Sequence, residues 1–155
     1  MRAVLQITKK ARLICQENII SDCQAGMCIL LGFREGDTRE DADRMIAKIL
    51  NMRIFQDENG KLNRSSQQVG ADILVVSNFT LYANLSSRRP DFLSAMKYQP
   101  ASELYRYFLE EMQRQANALS PAFPIRIFGG VFGGDMTVEI TNDGPVTIVI
   151  NSEEI

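Results

Sequence analysis

Hydrophobic and polar residues alternate with two different periods along this chain, and the switches between them outline its elements. Met1 to Ile7 alternate loosely around Val4 and Leu5, which predicts a strand. Ala11 to Cys15 and Met27 to Phe33 predict two more, the second a nearly continuous apolar run suited to a buried position. Gly36-Asp37 closes that run with a turn signal. Thr38, three residues before Asp41, resembles a capping box with Asp in place of Glu. Ala42, Met45, Ile46, Ile49 and Leu50 follow at helical spacing and give one apolar stripe. Arg53 to Gln56 reads as extended, and Asp57-Glu58-Asn59-Gly60 as a turn.

Ala71 to Leu81 is rich in β-branched and aliphatic residues and predicts a central strand. Period two along it places Ser77 and Phe79 on one face, Asn78 and Thr80 on the other. Asn84 to Pro90 is a polar loop. A second helix is expected from about Ala101 to Leu119, with Leu104, Phe108, Met112 and Leu119 inward, ended by Pro121 and Pro124. Ile125 to Phe128, Met136 to Thr141 and Val146 to Ile150 predict strands. The last two are separated by Asn142-Asp143-Gly144-Pro145, which reads locally as a hairpin turn. The order predicts an α/β fold: a single mixed domain over residues 1–155, its curved, barrel-like β-sheet covered by two main helices.

Composition narrows the chemistry. The chain has 155 residues, 45% of them hydrophobic, enough for one domain with a substantial core. Its apolar runs are too short to span a bilayer, and the N-terminus lacks the pattern of a signal peptide, so cytoplasmic residence is expected. Cys15, Cys23 and Cys28 have no Cys-x-x-Cys spacing and are expected as buried, reduced thiols. Histidine is absent, which removes a Ser-His-Asp triad, a Cys-His dyad and any histidine-ligated zinc within one chain. No metal or cofactor is expected. Net charge is −2, so a nucleic-acid contact needs a local patch, for which Lys9, Lys10 and Arg12, then Arg88 and Arg89, are candidates.

Two segments carry candidate chemistry. Ser77-Asn78-Phe79-Thr80-Leu81 ends the apolar Val75-Val76 run, where a hydroxyl lies well placed at a pocket mouth, though no adjacent base activates it. In Thr141-Asn142-Asp143-Gly144-Pro145-Val146-Thr147 the proline is the unusual residue, because it opens the following strand without an amide donor.

Together the two segments resemble the signature of the D-aminoacyl-tRNA deacylase family, also called D-tyrosyl-tRNA deacylase. The N-terminal Met1-Arg2-Ala3-Val4-Leu5-Gln6, then Arg53-Ile54-Phe55, Val75 to Leu81, Arg89-Pro90-Asp91-Phe92, Gly134-Asp135-Met136 and Asn142 to Thr147 fall in family order. The resemblance implies a homodimer that hydrolyses the ester of D-aminoacyl-tRNA, releasing free D-amino acid and tRNA as translation quality control. It implies that Ser77, Asn78, Phe79 and Thr80 line the catalytic pocket, with Met136 a further pocket candidate. Gly144 and Pro145 would enter that pocket from the partner subunit as a Gly-cisPro element, checking handedness with backbone carbonyls. Such a check ignores side-chain identity and would also admit glycyl-tRNA. The terminal 2′-hydroxyl of the tRNA would reduce the need for a protein base, and positioned N–H groups would serve as an oxyanion hole.

The chain departs from the family pattern in carrying Asn78 where Gln is usual and Ile7 where Arg is common, and the region from Ala118 to Arg126 is longer than typical. Asn78 and Ile7 motivate the alternative: a catalytically weak member of the same fold that binds tRNA or DNA.

Overall fold

The computed structural model describes residues 1–119 and 123–155. Eight strands and three helices run in the order β1 (Arg2–Cys15), β2 (Asn18–Cys23), β3 (Gly26–Gly32), α1 (Arg39–Asn51), β4 (Phe55–Gln56), β5 (Leu62–Arg64), α2 (Ser66–Val69), β6 (Asp72–Ser77), α3 (Tyr98–Leu119), β7 (Arg126–Gly129) and β8 (Met136–Asn151). The main sheet has the order β2-β1-β3-β6-β7, with β8 on the other side of β1. β3, β6 and β7 are mutually parallel, and β1 pairs antiparallel with β2, β3 and β8.

The first two expected strands are one. β1 alternates through Ala3, Leu5 and Ile7, breaks phase with Thr8 buried and Lys9 and Lys10 both exposed, then resumes at Ala11, Leu13 and Cys15. The break bends the strand, so that its halves serve different cores. Ala3, Leu5 and Ile7 join Met27, Ile29, Leu31, Ile73 and Val75 beneath the helices. Ala11, Leu13 and Cys15 instead fold over the opposite face, against Cys28, Leu74 and Val76. The sheet thereby curls into a barrel, which Ser21 Oγ helps to close by donating to the Gly129 carbonyl at 3.0 Å.

α1 carries the expected capping box: the Asp41 amide donates to Thr38 Oγ1 at 3.3 Å, and Thr38 N–H donates to the Asp41 carboxylate at 2.9 Å. Its stripe of Ala42, Met45, Ile46, Ile49 and Leu50 is fully buried. α3 begins at Tyr98, earlier than expected, because Pro100 falls in the first turn, where its missing N–H costs nothing. Leu104, Phe108 and Met112 face inward as expected, but Leu119 is 40% exposed. Pro121 lies outside the described residues. The short α2, the third helix, and β2 were not foreseen.

Asp72 anchors the amino-terminal end of the parallel strand β6. Its carboxylate takes two bonds from Arg126, each 2.7 Å, and a third from the Gln24 amide at 2.7 Å. The three cysteines are buried and free, as expected. Burial, aided by the Asp72 and Asp22 carboxylates, pushes the Cys23 thiol up to about 12, and burial beside Cys23 does the same for Cys28. Both are therefore inert packing groups.

Candidate active site

A cavity of about 680 Å³ opens at the carboxyl ends of the parallel strands β3 and β6. Open parallel sheets commonly bind ligands there, because adjacent strands diverge into loops that leave a crevice. Its floor is Leu31, Phe33 and Ser77; its walls include Phe79, Phe92, Met96, Tyr98, Phe132 and Met136. Phe79 meets Phe92 edge to face at 4.9 Å, and Tyr98 meets Phe132 at 5.2 Å, so aromatic edges frame the mouth. Phe79 is 58% exposed and free to cover a planar guest.

Tyr105 braces the floor. Its hydroxyl donates to the Val75 carbonyl at 2.8 Å and accepts the Gly130 N–H at 2.8 Å, tying α3 to β6 and to the chain leaving β7. Burial pushes it up to about 12, so it stays protonated and keeps donating.

The strand expected to reach Leu81 stops at Ser77. The Asn78 amide bonds the Leu31 carbonyl at 2.8 Å and completes the pairing with β3. Its side chain then turns the chain: Asn78 Oδ1 accepts the Thr80 N–H at 3.2 Å and the Thr80 hydroxyl at 2.5 Å. This caps a 3-10 helix over Phe79–Tyr82. Phe79 and Thr80 therefore do not follow the two-residue alternation of a strand. The Phe79 N–H, first of that helix, has no hydrogen-bond partner among the described residues. The Asn78 side chain is occupied locally, and the Thr80 proton is already given to it. Ser77, Asn78, Phe79 and Met136 line the cavity together; Thr80 sits one step behind them.

The hairpin reading of Asn142 to Pro145 is overturned. β8 runs through these residues, and both flanks pair with the same strand: Lys10 faces Thr141, while Gln6 faces Thr147. Four steps on β1 match six on β8, so the segment is a bulge carrying two extra residues. Asn142 clamps its base, its Nδ2 donating to the carbonyls of Ile7 and Val146, each at 3.0 Å. Gly144 has φ +113°, and a Cβ there would lie 2.8 Å from Val146 Cγ2. The Gly144–Pro145 peptide bond is cis.

The two segments are not brought together within the chain. Ser77, Leu31, Ala3 and Ile150 form one row across four strands, while the bulge lies beyond Gln6. That separation is about 14 Å across the sheet and about 13 Å along it, and neither Gly144 nor Pro145 is in the cavity lining.

A family model described as D-Tyr-tRNA(Tyr) deacylase matches residues 4–151. The chain belongs to this family. A relative from Aquifex aeolicus named D-aminoacyl-tRNA deacylase is 42% identical over the whole of both chains. One of the same name from Drosophila melanogaster is 38% identical over 99% of this chain and 94% of its own. A solved structure named c-Myc DNA Unwinding Element Binding Protein superposes with a TM-score of 0.84 at 39% identity, covering 97% of this chain and 98% of the other. Family membership explains why six short motifs recur in order, and the expected fold, a barrel-like sheet under helices, is the one observed.

Sequence reasoning missed Asn142 as a clamp and Tyr105 as a brace, and Phe132 and Tyr98 as cavity walls. Phe92 was within reach, since Arg89-Pro90-Asp91-Phe92 is one of the family motifs. No helix among the described residues is long and apolar enough to cross a membrane.

Proposed function

We propose that the protein hydrolyses the ester of D-aminoacyl-tRNA as a homodimer in the cytoplasm, each cavity receiving the Gly144-Pro145 bulge of the partner subunit. The observation that carries this reading is the separation of two well-built halves. The cavity lined by Ser77 to Phe79 includes neither Gly144 nor Pro145, and the clamped bulge lies three strands away from it in the same sheet. β8 supplies a means of association. Among the described residues it pairs only with β1, which leaves its other edge open over 16 residues.

In this site the terminal adenosine occupies the aromatic cavity and the acyl carbon lies by Phe79. Water adds to that carbon, the bond to the ribose oxygen breaks, and free amino acid and tRNA hydroxyl leave. The Phe79 N–H is placed to stabilise the developing oxyanion. Thr80 positions the turn through Asn78 and is not a nucleophile. With no histidine in the chain, the substrate's 2′-hydroxyl assists the proton transfer. Carbonyls of the partner's bulge meet the side chain of an L-residue and pass that of a D-residue. Glycine, having no side chain, is admitted.

Purified protein is expected to release D-Tyr from D-Tyr-tRNA and leave L-Tyr-tRNA intact; equal loss of both, or of neither, rejects the proposal. A second reading, nucleic-acid binding without hydrolysis, is favoured by the relative named for binding DNA. Salt-dependent tRNA binding with no ester cleavage would support it.

A further inference from the structure

We propose that the loop from Asn84 to Asp91, with Lys97 beside it, is the track along which the phosphates of the tRNA 3′ strand leave the cavity. This rests on the deacylase reading and adds a direction of approach to it.

The loop is closed and projects outward. Asn84 and Asp91 exchange backbone bonds of 2.8 and 3.2 Å, and Asn84 Nδ2 donates to the Asp91 carboxylate at 3.0 Å. Ser86 N–H caps back onto Asn84 Oδ1, and Ser87 Oγ donates to the Arg89 carbonyl. The residues after the loop, Phe92 and Leu93, form the cavity wall. Arg88 and Arg89 are thus exposed on a loop whose neck adjoins the cavity wall.

Those two guanidiniums have no partner among the described residues. Most other arginines do: Arg12, Arg34, Arg44, Arg64, Arg114 and Arg126 pair with carboxylates. Lys97 lines the cavity and also has no ion pair among the described residues. Three cations without a carboxylate partner among the described residues thus lie on the loop and the wall segment that follows it, in a chain of net charge −2. Asp91, held at the loop neck by Asn84 Nδ2 and the Leu93 amide, keeps its charge and offsets one of the three, so the loop with Lys97 stays net positive; Asp135 is exposed between Gly134 and Met136, which line the cavity elsewhere. An anionic strand is drawn over the arginine side and repelled from the Asp135 side. Paired cations release little on binding phosphate; free ones contribute fully to a salt-dependent affinity.

The test compares two substrates, D-Tyr-tRNA and 3′-O-D-tyrosyl-adenosine, which has the ester and base but no phosphates. R88E/R89E should lower kcat/KM on the tRNA about tenfold or more relative to the adenosine ester, and flatten the salt dependence of tRNA turnover by about one logarithmic unit per unit. K48E/K61E makes the same charge change away from the cavity and should keep the wild-type ratio. Equal loss on both substrates, an unchanged salt slope, or the same loss in K48E/K61E overturns the proposal. If the wild type cleaves neither substrate, the deacylase reading fails, and tRNA affinity then tests the track. About tenfold weaker binding by R88E/R89E supports it, and equal binding overturns it.

Discussion

Asn142→Ala tests whether the bulge is held by the one side chain at its base. The substitution removes two hydrogen bonds, from Nδ2 to the carbonyls of Ile7 and Val146, both 3.0 Å. At about 0.5–1.5 kcal/mol net for each bond, the pair is worth about 2 kcal/mol. For a chain of this size, that lowers the melting temperature by about 4–8 °C. The loss falls where two extra residues of β8 leave the sheet, so the bulge, not the barrel, gains freedom. Releasing about 2 kcal/mol of local restraint admits competing conformations at up to thirtyfold greater weight. The ratio of D-Tyr-tRNA to L-Tyr-tRNA cleavage should therefore fall about tenfold or more, by single-turnover deacylation of each substrate. Thr38→Ala serves as the control. It removes the α1 cap at a cost of about 1 kcal/mol, touches neither the bulge nor the cavity lining, and should leave the ratio intact. A destabilised N142A with an unchanged ratio would refute the reasoning.

Three further outcomes follow from the packing. Gly26→Ala places a Cβ 1.9 Å from the Asp72 carbonyl oxygen, where parallel strands meet and neither backbone can retreat. Urea denaturation should show a loss of about 3 kcal/mol or more, or no folded protein. Tyr105→Phe removes the brace beneath the cavity. Since Gly130 N–H also reaches the Val75 carbonyl at 3.1 Å, neither group is orphaned, and the expected loss is about 1 kcal/mol by the same assay. Glu111 accepts bonds from Arg114 and Gln115, which hold its carboxyl down at about 2, against 4.5 unperturbed. A depressed carboxylate stabilises the fold above its unfolded value and loses that contribution as pH falls through the window from 4.5 toward 2. Because Arg114 is largely exposed, Glu111→Gln should cost only about 1 kcal/mol at pH 7 and almost nothing near pH 2, by thermal melts across pH.

The elements that sequence made legible are those whose cause is local. The Thr38–Asp41 box and the stripe it opens lie within one stretch of chain, and α1 forms as read. The parallel strands β3 and β6 declared themselves by continuous apolar runs. What escaped depends on partners that the hydrophobic pattern does not show. β2, half polar, is a strand because the chain turns at Gln16-Glu17 and pairs back onto the second half of β1. β6 ends at Ser77 because the Asn78 side chain captures Thr80, an event that Val75-Val76 does not foreshadow. Asn142-Asp143-Gly144 has a strong local hairpin signal, yet both flanks pair with one long strand, and only that long-range register distinguishes a bulge from a turn. The motif order supplied the family, and with it the two halves of the candidate site; their separation within one chain required the fold.

That separation makes subunit complementation the most direct measurement. One variant carries a blocked cavity, Ser77→Trp, and the other a disrupted bulge, Gly144→Val, whose side chain meets Val146 at a backbone φ of +113°. Each homodimer is expected to lack D-specific turnover. Refolded together in equal amounts, they should regain D-specific deacylation in about a quarter of all sites, since half the dimers are mixed and each has one intact composite site. No recovery beyond the sum of the two separate variants would contradict a site shared between subunits.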